Sequence, residues 1–335
     1  MDNITNFQVL WFILVLVLFM GYSLLDGFDL GVAVLIPFLA KNKEEKDMLI
    51  GSIGPVWDGN EVWLVTGGGA LFAAFPQAYA TAFSGFYLAM MLVLFSLIFR
   101  AISMEFRAHD EKRAWFWEVL LTGGSALAAL LFGVALGNVV YGVPLDSKME
   151  YAGNFFTLLR PVPLLFGLTG LAAVLMQGST YAIMKTEGET QQRAFRAAEI
   201  ILGFYGALIA VFATVMIALT RGKFIGPLFT GGLLFSMLGL AGIIFSLKKK
   251  NEKAPFWESS FAFIGLWMMV AAVHFPNMVK ASNNPVLSIT IFNGSTGIMT
   301  LRLMSIIALI GMPVVIGYTI FVYRIFKGKA KQIYY

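Results

Sequence analysis

Four carboxylates stand within apolar sequence, where a charge is costly: Asp26 and Asp29 in GYSLLDGFDLGV, and Asp58 and Glu61 in GPVWDGNEVWL. An ionisable side chain at membrane depth is expensive unless paired or watered, so each is a candidate for chemistry. Both pairs have i, i+3 spacing, which puts their members on one face of a helix. A partly buried carboxylate can hold a proton near neutral pH and hand it on, which is the chemistry of a proton relay. The structural alternative has Asp26 and Asp29 pairing with Arg100 or capping a helix break, and Asp58 capping a helix beside Pro55 and Gly59. Glu61 lies a turn deeper, and Trp57 and Trp63 flanking the pair point to a packed, dry setting.

Other chemistry is poorly provided for. The chain has no cysteine and two histidines, His109 and His274, which excludes disulfides, iron–sulfur clusters, thiolate zinc sites and a cysteine nucleophile. A b-type haem in a helical bundle takes two axial side chains, His or Met, directed inward. His109 falls in a charged stretch with Arg107, Asp110, Glu111, Lys112 and Arg113, and His274 ends an apolar run beside Phe275–Pro276. The 17 methionines read as core filler. No haem ligated wholly by this chain is expected, and no metal site. Gly67–Gly69 lacks the Gly-Lys-Ser/Thr of a phosphate loop and reads as close helix packing, as do Gly123–Gly124 and Gly231–Gly232. Gln177, Ser179, Thr180 and Tyr181 are candidates for interhelical hydrogen bonds.

The elements that must position these residues follow from hydropathy. Of 335 residues, 59% are hydrophobic and 13% charged, and mean hydropathy is +0.79. A soluble domain carries roughly 25% charged residues, so a water-soluble globular protein is excluded. A spanning helix needs about 20 mainly apolar residues. Nine runs qualify, at about 7–39, 53–75, 79–99, 115–139, 162–183, 197–219, 227–247, 256–275 and 301–325, in a single polytopic membrane domain over 1–335. At 1.5 Å per residue the first run is longer than a bilayer needs. A polar cluster interrupts the start of the second.

The net charge of +5 is distributed as a record of orientation. With the N-terminus outside, eighteen basic residues fall inside: Lys41, Lys43, Lys46, Arg100, Arg107, Lys112, Arg113, Lys185, Arg193, Arg196, Lys248, Lys249, Lys250, Lys253, Arg324, Lys327, Lys329 and Lys331. Five fall outside (Lys148, Arg160, Arg221, Lys223, Lys280), and Arg302 opens the last span. Basic residues spread over alternate loops form no nucleic-acid surface. No basic n-region or cleavage site marks a removable signal, so the first helix is expected to be retained. Trp11, Trp115, Trp117 and Trp257 fall where head-group anchors would. No repeat of 20–50 residues is visible. The stretches 140–161 and 276–300, rich in Asn, Ser, Gly and Pro, are expected to be outer caps or loops.

From Gly27 onward the sequence resembles subunit II of cytochrome bd-type quinol oxidases: DGFDLGV, then GPVWDGNEVWLVTGGGALFAAFP, then YATAFSGFYLAMMLVLFSLIFR. GNFFTLL, QGSTYA and LSITIFNGSTG continue the likeness in the same order, so it covers essentially the whole chain. The resemblance implies an all-α integral membrane protein of nine transmembrane helices, two four-helix bundles plus one peripheral helix, N-terminus outside and C-terminus cytoplasmic. It implies a partner, subunit I, that carries haem b558, haem b595, haem d and the quinol site, in a bacterial or archaeal cytoplasmic membrane. The reaction it implies oxidises quinol and reduces O2 to water, electrogenic without pumping.

On this sequence, Asp58 matches the carboxylate assigned to the entry of a proton path, and Trp63 a residue near an oxygen route from the lipid. Asp29 and Arg100 match positions tied to the integrity of the haem region, with Asp26 and Trp57 beside them in support. Glu61 stands where some relatives have an amide, as a second proton carrier or a hydrogen-bonding group. A small single-helix subunit and a structural quinone on this chain are left open. A proton-coupled secondary transporter would also use intramembrane carboxylates, but internal repeats and paired broken helices, its usual marks, are not evident.

Overall fold

The computed structural model describes residues 2–220 and 226–330. Arg221 and Lys223 of the outer set and Lys331 of the inner set lie outside the described residues. The first helix, α1, runs unbroken over Asp2–Leu39, about 57 Å at roughly 1.5 Å per residue. Asp26 and Asp29 therefore do share one face. On the buried side of α1, Tyr22, Asp26, Asp29 and Ala33 recur at the three- and four-residue spacing of a single helical stripe.

The second and third expected spans are redrawn. α2 (Lys43–Ile53) starts at Asn42, whose side chain accepts from the Glu45 N–H at 2.8 Å. The chain then turns at Gly54–Pro55, and α3 covers Trp57–Ala74. Val56, with no side-chain bond, precedes α3, so Asp58 stands inside the first turn and is not its cap. Pro76, which cannot donate an N–H to a continuing helix, opens α4 (Pro76–Gly85). A further break at Phe86 leads into α5 (Tyr87–Phe106), so the run expected at 79–99 is split and its apolar part ends later.

The remaining expected spans lie within α6 (Ala114–Tyr141), α7 (Pro161–Lys185), α8 (Gly188–Leu219), α9 (Pro227–Lys248), α10 (Ala254–His274) and α11 (Ile298–Ile325). Among the described residues eight helices are long and apolar enough to cross a membrane: α1 and α5 to α11. α3, with Asp58 and Glu61 in its first turns, is not one of them.

Packing rests on close backbone approach. α1 lies on α3, α6 and α7, α5 on α6, α7 on α6 and α8, and α9 on α10. Gly31 of α1 meets Gly178 of α7 with no room for a Cβ on either, and Gly232 of α9 meets Gly265 of α10 in the same way. Of the glycine runs expected to pack closely, Gly67 faces Phe19 and Gly124 faces the Ser96 carbonyl, whereas Gly68, Gly69 and Gly123 face open space.

The two long loops close one end together. A two-stranded ribbon, β1 (Asn277–Val279) and β2 (Ile289–Thr290), stands beside residues 143–151: the bridge from Val143 to Ala281 joins the two loops, and that from Leu145 to Tyr151 closes the first on itself. Asn283 both accepts from and donates to the backbone of Leu145. Beneath this cap lies a second apolar core of Phe75, Phe86, Val143, Leu145, Val279 and Ile289. At the other end, loops of the inner set are tied by ion pairs: Arg107 to Asp47 at 2.5 Å and Glu118 at 3.0 Å, Lys46 to Glu118 at 2.7 Å, and Arg193 to Glu45 at 2.5 Å.

α11 stands apart, with Leu301 its one fully buried side chain. Trp11 secures its N-terminal end, donating to the Leu301 carbonyl and to Ser305 Oγ, both at 3.0 Å. Trp11 is 4% exposed, so it is a tether between helices and not the expected head-group anchor, while Trp115 and Trp257 are broadly exposed. Lys329, just past α11, holds the C-terminal end through the Thr186 carbonyl and Glu252.

Candidate functional site

The buried face of α5 is Val93, Ser96, Arg100 and Ser103, a stripe of helical period with one cation in it. Arg100 has no exposed surface. Its Nη1 donates to Asp26 Oδ2 at 2.8 Å and its Nη2 to Asp26 Oδ1 at 2.6 Å, a bidentate fork. Nη1 also donates to Glu61 Oε1 at 3.1 Å. The Trp57 ring lies 5.7 Å from the guanidinium carbon. Three helices thus meet at one cation.

Asp29 was expected to pair with Arg100 and does not. The guanidinium is taken by Asp26 and Glu61, and Asp29, equally buried, accepts from Asn60 Nδ2 at 2.7 Å. Its other oxygen has no hydrogen-bond partner. The Asn60 amide also donates to the Leu25 carbonyl at 3.2 Å, and its oxygen accepts from the Tyr323 hydroxyl on α11 at 3.0 Å.

The packed, dry setting expected of Asp58 and Glu61 belongs instead to Asp26 and Asp29. Asp26 and Asp29 are fully buried, the Glu61 side chain is 24% exposed, and Asp58 is exposed, with no hydrogen bond or ion pair among the described residues. The reason is the face of α3 on which Asp58 stands. Val62, Val65 and Phe72 continue that face, at 50%, 73% and 59% exposure, and nothing among the described residues covers it. Asp58 and Glu61 are one turn apart on α3, so the exposed face leads through Glu61 to the Arg100 cluster. Trp63 packs on α1 at Gly21, where a Cβ would stand 2.5 Å from a ring carbon.

Of the polar run of α7, Gln177, Thr180 and Tyr181 make the interhelical bonds expected of them, whereas Ser179 donates to the Met176 carbonyl of its own helix. Gln177 accepts from Ser259 and donates to Ser260, Thr180 contacts Ser259, and the Tyr181 hydroxyl donates to the Ser52 carbonyl. Glu258 of α10, which accepts from Ser246 at 2.8 Å, is a further carboxylate inside an expected span, as Glu118 and Glu199 are. The rule that found the other four would have found it. Asn60 and Tyr323 were missed for a different reason: neutral side chains carry no charge penalty to reveal them.

The histidines do not fit a shared haem. His274 packs against Phe12, near the start of α1, while His109 borders a cleft with Gly54 and Trp57, by the α2–α3 turn at the far end of α1. They lie toward opposite ends of α1 and are not brought together at one site.

Fold and site together define a polytopic helical membrane protein organised around a buried ionic cluster. Residues 7–326 match the family described as cytochrome bd terminal oxidase subunit II. Cytochrome bd-I ubiquinol oxidase subunit 2 of Escherichia coli strain K12 is 33% identical over 359 residues, spanning 96% of this chain and 94% of that protein. Cytochrome bd ubiquinol oxidase subunit 2 of Bacillus subtilis strain 168 is 34% identical over 333 residues, 96% of each. A chain of the bd oxidase from Geobacillus thermodenitrificans superposes with a TM-score of 0.81 over 96% of this chain and 98% of that one, and its 15% identity shows a shared fold. The chain belongs to the cytochrome bd oxidase subunit II family.

Removing one partner of a buried ion pair leaves the other bare. Arg100→Met is expected to cost about 3–5 kcal/mol, read as a fall in Tm of the purified complex, and adding Asp26→Leu recovers most of it. An unchanged Tm in the single variant contradicts the cluster.

Proposed function

We propose that this chain is the non-redox subunit of a quinol:O2 oxidoreductase of the aerobic respiratory chain, and that it supplies cytoplasmic proton access to haems held by its partner. The observation that carries the reading is the ordered set of carboxylates on α3 and α1. Asp58 stands on an uncovered face, Glu61 is half-buried one turn on, and Asp26 is sealed against Arg100. A carboxylate at one end of an exposed apolar stripe is badly matched to lipid alone, and a partner subunit seated on α3 would cover both. The family match supports the same reading and disfavours a transporter.

In this proposal the partner is subunit I, with haems b558, b595 and d and the quinol site. Those haems supply the electron transfer and oxygen chemistry, and this chain delivers protons. Asp58 collects a proton at the cytoplasmic mouth, Glu61 is the next carrier, and Asp26, Arg100 and Trp57 hold that carrier in place. Protons drawn from the cytoplasm and released outside make the reaction electrogenic without pumping. Trp63, packed on α1, lines the route by which O2 arrives from the lipid.

The chain is proposed to sit multi-pass in a bacterial cytoplasmic membrane. Its N-terminus is outside and its C-terminus cytoplasmic, with α1, α3, α5 and α6 as one four-helix bundle, α7 to α10 as the second, and α11 peripheral. The ion pairs linking the basic loops at one end support that orientation. A small single-helix subunit and a structural quinone are compatible additions.

A complex purified through a tag on this chain is expected to show haem b and haem d bands in its reduced-minus-oxidised spectrum; a stable chain without haem or partner sinks the proposal. Asp58→Asn is expected to lower quinol-oxidase turnover about 10- to 100-fold, within the range of a lost proton-transfer group, with haem content retained. Loss of haem d in that variant assigns Asp58 a structural role instead. Trp63→Ala should weaken apparent O2 affinity more than quinol affinity, and equal effects on both count against an oxygen route.

A further inference from the structure

We infer that Tyr323 is a positioning residue for Asp29, acting through the side-chain amide of Asn60. The inference rests on the proposed reading of the carboxylate cluster as a proton-access site, and it adds to that site a helix whose sequence carries no acidic residue.

α11 buries almost nothing, yet near its inner end the Tyr323 hydroxyl reaches into the cluster and donates to Asn60 Oδ1 at 3.0 Å. Its ring stands edge-on to Phe28, 6.4 Å between centroids, and Phe28 stacks in turn on Tyr181 at 4.1 Å. The hydroxyl is thereby aimed by packing as well as by the bond it makes.

A side-chain amide is nearly symmetric in shape, and its neighbours decide which end faces which way. Two neighbours decide it here. The Leu25 carbonyl can only accept, so it draws the N–H2 group, at 3.2 Å. The Tyr323 hydroxyl supplies the donor that the amide oxygen requires on the opposite side. With both in place, Asn60, 2% exposed, presents its N–H2 to Asp29 at 2.7 Å.

That contact is the only hydrogen bond Asp29 makes among the described residues, its second oxygen having no partner. The charged and titratable groups around Asp29 are Asp26 on its own helix, Glu61 on α3, Arg100 on α5, Tyr181 on α7 and Tyr323 on α11. The single cation among them is committed to Asp26 and Glu61. How readily Asp29 takes up and returns a proton therefore depends on one amide, and the orientation of that amide depends on Tyr323. Without the hydroxyl, the Asn60 oxygen is buried without a donor, and a flipped amide turns that oxygen toward the carboxyl.

The test uses the whole oxidase complex. Tyr323→Phe keeps the ring on Phe28 and removes only the hydroxyl. The control is Trp11→Phe, which cuts the outer tether of α11 and leaves Asn60 untouched. Two readouts are taken: quinol turnover with its KM, and the infrared difference spectrum of the carboxyl region, where the Asp29 band is the one missing from Asp29→Asn. Tyr323→Phe is expected to shift that band and to lower turnover about three- to tenfold, the effect of one hydrogen bond, with quinol KM and haem content unchanged. Trp11→Phe should leave the band and turnover as they were.

A band unmoved in Tyr323→Phe, or moved equally in Trp11→Phe, overturns the inference, the latter because generic docking of α11 would then explain it. So does loss of haem in Tyr323→Phe, or the absence of any Asp29-dependent band in an active complex. A shifted band with unchanged turnover upholds Tyr323 as positioning Asp29 and overturns a part for Asp29 in proton delivery, whereas failure of the proposed function itself shows separately, as unchanged turnover in Asp58→Asn.

Discussion

A guanidinium with no exposed surface has to be neutralised and hydrogen-bonded where it stands, and Arg100 imposes that requirement on three helices at once. Asp26 must come from α1 and Glu61 from α3, so these two helices and α5 are fixed in rotation and height relative to one another. The desolvation of the charges offsets much of their attraction, so the cluster is not a large net source of stability. It acts by excluding alternatives: a rotation of α5 that withdrew Arg100 would strand charges among apolar side chains. The same commitment leaves Asp29 without a cation and hands it to Asn60, which brings α11 into the cluster through Tyr323.

The two ends of the molecule serve this centre differently. At one end, the ribbon and the 143–151 loop cover an apolar core that includes Phe75 and Phe86, the residues at which the α3–α4 and α4–α5 breaks occur. Both breaks are thus buried under the cap. At the opposite end, ion pairs among Arg107, Asp47, Glu118, Lys46, Arg193 and Glu45 tie four parts of the chain. Solvent-exposed pairs contribute little individually, but a network of half-buried ones holds the mouth of the cluster in a defined shape. Beside it, the exposed face of α3 is left as an open wall among the described residues.

Much of this was legible from residue types. Charged side chains in apolar runs announce themselves through their cost, so Asp26, Asp29, Asp58, Glu61 and Arg100 stood out without coordinates. Their partnerships did not. Asp26 and Asp29 were both candidates for Arg100, and the guanidinium took Asp26 and left Asp29, because spacing places residues on a face but does not choose between two carboxylates one turn apart. Asn60 and Tyr323 were silent, being neutral and 263 residues apart. Trp11 illustrates the same limit: position along the span suggested a head-group anchor, and its indole N–H serves α11.

Hydropathy, charge placement and the absence of cysteine, taken alone, determined a helical membrane chain without disulfides, its charges gathered into the loops and a few intramembrane positions. These properties depend on what each residue is and on roughly which element holds it. Tertiary structure decided where helices break, which carboxylate receives the guanidinium, which one is left to an amide, and which face stays open. Those outcomes depend on distances of about an ångström between groups far apart in sequence, and hydrogen bonds and ion pairs change steeply over such distances. Hydropathy averaged over a span has no term for them.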